Sequence, residues 1–240
     1  MKMTAMKKNL ENKSAPRHAF TLIELLVVIS IIGVLAAFTL TVSGSVKRRQ
    51  YISHTQAELA LLETAIQRYH DAYGIYPPGN PADARFSPLY FELLGTANYT
   101  NGGIVYYQTL DGSASIAVSA LASPSPLGVG GFINYTKPGS GEDAPAAKNF
   151  LPGLKPNQIG LNITNFAAPA TGVALLLGSV GGPDAGYQPF NVPDENPWRY
   201  ACPGTNNPNS YDLWIQLSIS GKTNLICNWS GQVQINSSLP

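Results

Sequence analysis

Between Phe20 and Leu40 the chain reads FTLIELLVVISIIGVLAAFTL, 21 residues with a single charge, Glu24. As a helix rising 1.5 Å per residue, this run is about 31 Å long, which matches the hydrocarbon core of a bilayer. Such a stretch commits the first part of the chain to a membrane or to an apolar helical assembly. Its flanks set a direction. Residues 1–19, MKMTAMKKNLENKSAPRHA, hold Lys2, Lys7, Lys8, Lys13 and Arg17 against Glu11 alone. The cationic side stays in the cytoplasm, so the remainder faces outward. Lys47, Arg48 and Arg49 lie on the far side, but three cations do not outweigh five. A secretory signal peptide would have a shorter apolar core and a small-residue cleavage site after it. A plain membrane anchor would not contain Glu24. A carboxylate at that depth costs about 2.5–3.5 kcal/mol on insertion scales and is functional by default.

The rest of the composition narrows the function. Fifteen Lys and Arg balance fourteen Asp and Glu, so no excess of cation exists to neutralise phosphates, and no nucleic-acid partner is expected. Charged residues are 12% of the chain, about half the usual soluble share, while Gly (23) and Pro (19) favour loops and short strands. No phosphate loop, dinucleotide fingerprint or nucleophile elbow is present. His18 falls in the basic leader, and His54 and His70 are sixteen residues apart, too far to share a metal ion on one helix. These observations predict no enzyme, no cofactor and no metal.

A helical pattern continues past the apolar run. Ile52, Thr55, Leu59, Leu62, Ile66, Tyr69 and Tyr73 recur at alternating steps of three and four, a stripe of period 3.5. Gly74 is a natural stop and Pro77-Pro78 forbid continuation. Unbroken from Phe20 to Tyr73, this helix would be about 80 Å long. Gly33, Ser43 and Gly44 mark places where it could loosen or pack closely.

Residues 78–196 read as irregular. One short helix is legible there, with Ser87 as cap, Pro88 at the first position and Gly95 past the end. Ile104–Gln108 reads as a strand, and Val173–Leu177 as either a strand or a buried helical turn. At the end of the chain, Trp198–Cys202, Tyr211–Ser218 and Leu225–Trp229 have strand character with turn residues between them. Leu213, Ile215 and Leu217 alternate with Trp214, Gln216 and Ser218, which predicts one buried face. The expected fold is α+β: a long N-terminal helix packed on a three-stranded antiparallel meander. The expected organisation is a leader at 1–19, a transmembrane helix segment at 20–40, an amphipathic helix at 41–74 and a head at 75–240. Within the head, 78–196 is a loop-rich insertion and 197–230 the sheet.

The sequence RHA-FTLIELLVVISIIGVLAA closely resembles the N-terminus of type IV pilins and of type II secretion pseudopilins. The resemblance implies that a prepilin peptidase cuts between Ala19 and Phe20 and that the new amine of Phe20 is methylated. Counted from Phe20, Glu24 is the fifth residue, the position that carries Glu in the family. By the same resemblance, Glu24 of one subunit meets the Phe20 amine of the next and sets axial register in a filament. One departure is Ala19, which stands where the family usually has Gly. Three further patches, from Glu58 to Pro78, NPWRYACPG with SYDLW, and LICNW, are similar to the major, G-type, pseudopilins. They imply a filament subunit held in the inner membrane, N-terminus cytoplasmic and head periplasmic. Its partners would be the peptidase, other copies, other pseudopilins, an inner-membrane assembly platform and lipid. A type IV pilus subunit, or an anchored protein that never polymerises, are the alternatives. A second departure concerns calcium, which the family often binds in an acidic loop between its last strands. The corresponding Ile219–Leu225 contains no carboxylate, and Asp194, Glu195 and Asp212 are scattered. Cys202 and Cys227, the only cysteines, both lie in the C-terminal sheet region. Outside the cytoplasm they are a candidate disulfide closing a 26-residue loop, worth about 3.5 kcal/mol; two buried thiols are the other reading.

Overall fold

The computed structural model describes residues 21–122, 125–136, 146–161, 173–178 and 195–236; the side chains of 38–45 and 161 are also outside the description. Helix α1 spans Leu22–Tyr73. The chain divides into two compact units, Met1–Lys47 and Arg48–Pro240, each considered by itself.

In the second unit the period-3.5 stripe of α1 is the face that packs. Thr55, Leu59, Leu62, Ile66 and Tyr69 are buried, and Ile52 and Tyr73 are half-buried at its ends. The helix stops where the sequence predicts. Gly74 takes φ +74° and its N–H donates to the His70 carbonyl at 2.7 Å, a left-handed closure that a side chain would resist. Helix α2, Leu89–Leu94, forms one residue later than the sequence predicts, with Pro88 rather than Ser87 at its N-cap, and the Ser87 hydroxyl accepts from the Leu89 N–H at 3.1 Å.

The middle of the chain is more ordered than its composition suggests. Strands β1 (Thr96–Asn101), β2 (Ile104–Thr109), β3 (Ser115–Ala117) and β4 (Tyr135–Thr136) make a four-stranded sheet in the order β3-β2-β1-β4. Only the β1–β4 pair is parallel. The expectation of a loop-rich stretch over 78–196 is thus corrected for its described part. The strands were illegible because TANYTN, SIA and YT are short and polar, and pairing rather than propensity holds them. β5 (Ile159–Leu161) and β6 (Ala174–Leu176) form a separate antiparallel pair, so the Val173–Leu177 segment is a strand, buried at all three positions.

The C-terminal sheet has four strands, one more than the meander read from sequence. Its order is β10-β9-β8-β7, with β7 Arg199–Ala201, β8 Asp212–Ile219, β9 Lys222–Cys227 and β10 Ser230–Ile235. It therefore extends to residue 235. Leu213, Ile215, Leu217 and Ile219 join the main core with the α1 stripe, α2 and Tyr200. The opposite face is not simply solvated. Trp214 is 6% exposed and packs with Leu225 and Cys227 in a second small cluster, beside Ala84, Ala201 and Trp229.

This sheet also sets the spacing of the two cysteines. Cys202 follows β7 and Cys227 ends β9, with β8 lying between them, and both thiols are free. Strands two apart are about 9–10 Å from each other, beyond the about 7 Å that a bridge spans between Cα atoms.

Candidate functional site

The first helical turn explains itself chemically. The Thr21 N–H and hydroxyl both donate to Glu24 Oε2, at 2.8 and 2.7 Å, and the Glu24 N–H reaches the Thr21 hydroxyl at 3.3 Å. This is a capping box, in which a T-x-x-E pair satisfies donors that the first turn leaves orphaned. The T-x-x-E pattern is present in the sequence. Among the described residues no donor reaches Oε1. Ala19 and Phe20, the expected cleavage and methylation residues, lie outside the described residues.

Around Glu24 the helix is apolar on every side and unburied. Exposure runs from 82% at Leu22 to 45% at Val28 and is 60% at Leu35. Ser30, the other polar residue there, donates to the Val27 carbonyl at 2.7 Å and so asks nothing of its surroundings. A helix that is hydrophobic all round belongs in lipid or among other helices, not in water. Among the described residues, no helix is long and apolar enough to cross a membrane. Phe20 and the side chains of 38–40, which complete the 21-residue run, fall outside them.

The head holds an interior polar centre that the sequence did not reveal. Glu92, on α2, is 0% exposed. Its carboxylate accepts from the Tyr69 hydroxyl at 2.9 Å, the Ile133 N–H at 2.9 Å and the Asn134 N–H at 3.0 Å. Burial, offset by the backbone donors and Tyr69, pushes this carboxyl above the usual glutamate range. Burial and the nearby Glu92 charge push the Tyr69 hydroxyl up as well. A six-residue helix buried at every position has no polar side to betray such a residue.

The remaining candidates are dispersed. His54 lies 3.7 Å from Glu58, and His70 stacks on Tyr76 with ring centroids 4.4 Å apart. Asp212 is 1% exposed and accepts from the backbone of Asn206 and Asn207 at 2.8 and 3.0 Å, fixing the turn before β8. Burial pushes Glu195 up, and Asp194 lies outside the described residues. Between the last strands, β8 and β9 pair as far as Ile219 and Lys222, leaving the two-residue turn Ser220-Gly221 with φ of +54° and +71°. Among the described residues no three His, Cys, Asp or Glu side chains come together as a metal site. Two open clefts, of about 310 and 350 Å³, flank the C-terminal sheet.

Residues 15–40 match the family model of the prokaryotic N-terminal methylation motif. Over 98 residues the chain is 38% identical to the type IV major pilin protein PilE1 of Neisseria gonorrhoeae. That stretch is 40% of this chain and 46% of the pilin, so the match spans about half of the relative. No solved structure matches. The chain thus carries the prokaryotic N-terminal methylation motif across Glu24 and is similar over part of its length to a type IV major pilin.

Proposed function

We propose that the chain is a structural subunit of a type II secretion pseudopilus. It is made as a prepilin, cut between Ala19 and Phe20 by the prepilin peptidase and methylated on the new amine. Before assembly, residues 20–40 hold it in the inner membrane, with the N-terminus cytoplasmic and the head periplasmic. Subunits then leave lipid and pack by their apolar helices, alone or with other pseudopilins, on an inner-membrane assembly platform. The observation that carries this reading is the exposed apolar helix with one carboxylate at its start. In a filament the same surface is buried against other copies, and Glu24 Oε1 accepts from the Phe20 amine of an incoming subunit. That pairing offsets the cost of the acid and favours one axial register over others. The filament acts as a piston or scaffold for export, and the chain itself supplies no catalysis.

The similarity of the C-terminal patches to G-type pseudopilins favours secretion. The identity with a type IV major pilin favours a second reading, a type IV pilus subunit for adhesion, motility or DNA uptake.

N-terminal sequencing of the mature protein should give N-methylphenylalanine followed by Thr21. Glu24→Ala should abolish filaments in sheared fractions while the subunit remains in the membrane; normal filaments would instead indicate an anchored protein that does not polymerise by this contact. Deleting the gene separates the two readings. Loss of protein export with surface pili intact supports the pseudopilus, and loss of pili with export intact supports the pilus.

A further inference from the structure

Glu92 is the most enclosed carboxyl among the described residues and sits where three parts of the head meet. Asn134 extends its network. The Asn134 side-chain amide donates to the Glu92 and Lys148 carbonyls, both at 2.7 Å, and its Oδ1 accepts from the Tyr73 hydroxyl at 2.7 Å and the Lys148 N–H at 2.9 Å. The Phe150 N–H donates to the Leu93 carbonyl at 2.8 Å. Through these bonds the 133–136 and 146–150 segments are held against α1 and α2.

The charge balance at this point is unusual. Tyr69 and Tyr73 face Glu92 from α1, and Tyr107 faces it from β2. Ile133 and Asn134 offer backbone amides. Lys148 contributes its backbone to the network while its side chain is exposed. Among the described residues no ion pair reaches Glu92. All the donors are neutral, and an ionised carboxylate buried without a cation is costly even when hydrogen-bonded. The protonated acid is cheaper. With the proton on Oε2, Oε1 keeps the Ile133 bond, the Tyr69 hydroxyl can rotate to accept from the acid proton, and the Asn134 N–H faces the remaining lone pair of the hydroxyl oxygen.

We propose that Glu92 is a proton-operated clasp: protonated, it closes the 133–136 and 146–150 segments onto the two helices, and ionised, it loosens them. The proton goes to solvent as the clasp opens and returns from solvent as it closes.

Hydrogen exchange on the full-length chain in detergent, corrected for intrinsic rates, tests this between pH 5 and pH 8. Protection at the Ile133, Asn134 and Lys148 amides should fall about tenfold as pH rises, while β8 and β9 hold steady. Glu92→Gln cannot ionise and should abolish that fall. A flat ratio in the unmodified chain, or the same fall in the variant, overturns the proposal. Carboxyl carbon NMR of the unmodified chain does not depend on the variant folding: a Glu92 midpoint above 4.5 supports the clasp, and one at or below it overturns it.

Discussion

Glu24 and Glu92 are both carboxylates in apolar settings, and their neighbours give them opposite characters. Glu24 is open to solvent in the single chain and bonded by its own helix N-terminus, so it is satisfied until something better arrives. Glu92 is sealed in and bonded by three groups that cannot neutralise it. Replacing Glu92 by Ala strands the Tyr69 hydroxyl and two backbone amides and leaves a cavity. The expected loss is about 2–4 kcal/mol, seen as a lower urea midpoint at unchanged slope. The pH dependence has a definite sign. Because burial holds the folded-state pKa above the unfolded value of 4.5, the folded head binds the proton more tightly. Its contribution is fully present below pH 4.5 and is lost as pH rises through the folded-state value. Asp83 works the other way: burial would raise it, but Arg85, bonded to it at 2.6 Å, holds it low, and its contribution is lost as pH falls. Subtracting the stability curve of Glu92→Gln from that of the unmodified chain isolates the Glu92 part. The difference should decline from pH 5 to pH 8.

Elements show how local rules and pairing divide the work. The end of α1 is set locally, because only a left-handed residue can close it. Gly74→Ala has open space for its new methyl group, so its cost is backbone strain alone, about 1 kcal/mol in thermal or urea unfolding. The β8–β9 turn is likewise local. Ser220 sits at φ +54° before Gly221, a pair of left-handed positions in a two-residue hairpin. Ser220→Asn should stabilise the head by a few tenths of a kcal/mol, since Asn accepts that conformation more readily. The fate of the cysteines is set by pairing. With β8 between β7 and β9, melting curves with and without reductant should coincide, and intact mass should report two thiols. A transition that drops on reduction would contradict the strand order.

On the scale of the whole molecule, the second unit has a core of its own. Its buried members run from Leu59 to Ile226, and the earliest residue packed against them is Tyr51. Residues 48–240 should therefore fold without the first 47 and melt cooperatively, which circular dichroism of the truncated chain would check; a broad, non-cooperative transition would contradict it. Much of this was legible in advance. The apolar run, the stripe from Ile52 to Tyr73, the stop at Gly74 and the capped α2 rest on periodicity and on residues with restricted backbones, and both act over one or two turns. The missing elements were β1, β3, β4, β5 and the amide-rich edge strand β10, whose short segments gain their conformation only from pairing with another segment. The same division holds for function. By itself the sequence determined that an apolar helix begins at a lone carboxylate, because length, hydropathy and the cost of charge in oil are properties of a contiguous segment. Only the tertiary structure decided that Glu92 is a buried acid with no ion-pair partner among the described residues and that two cysteines stand a strand apart, because burial and distance depend on which remote segments the fold brings together.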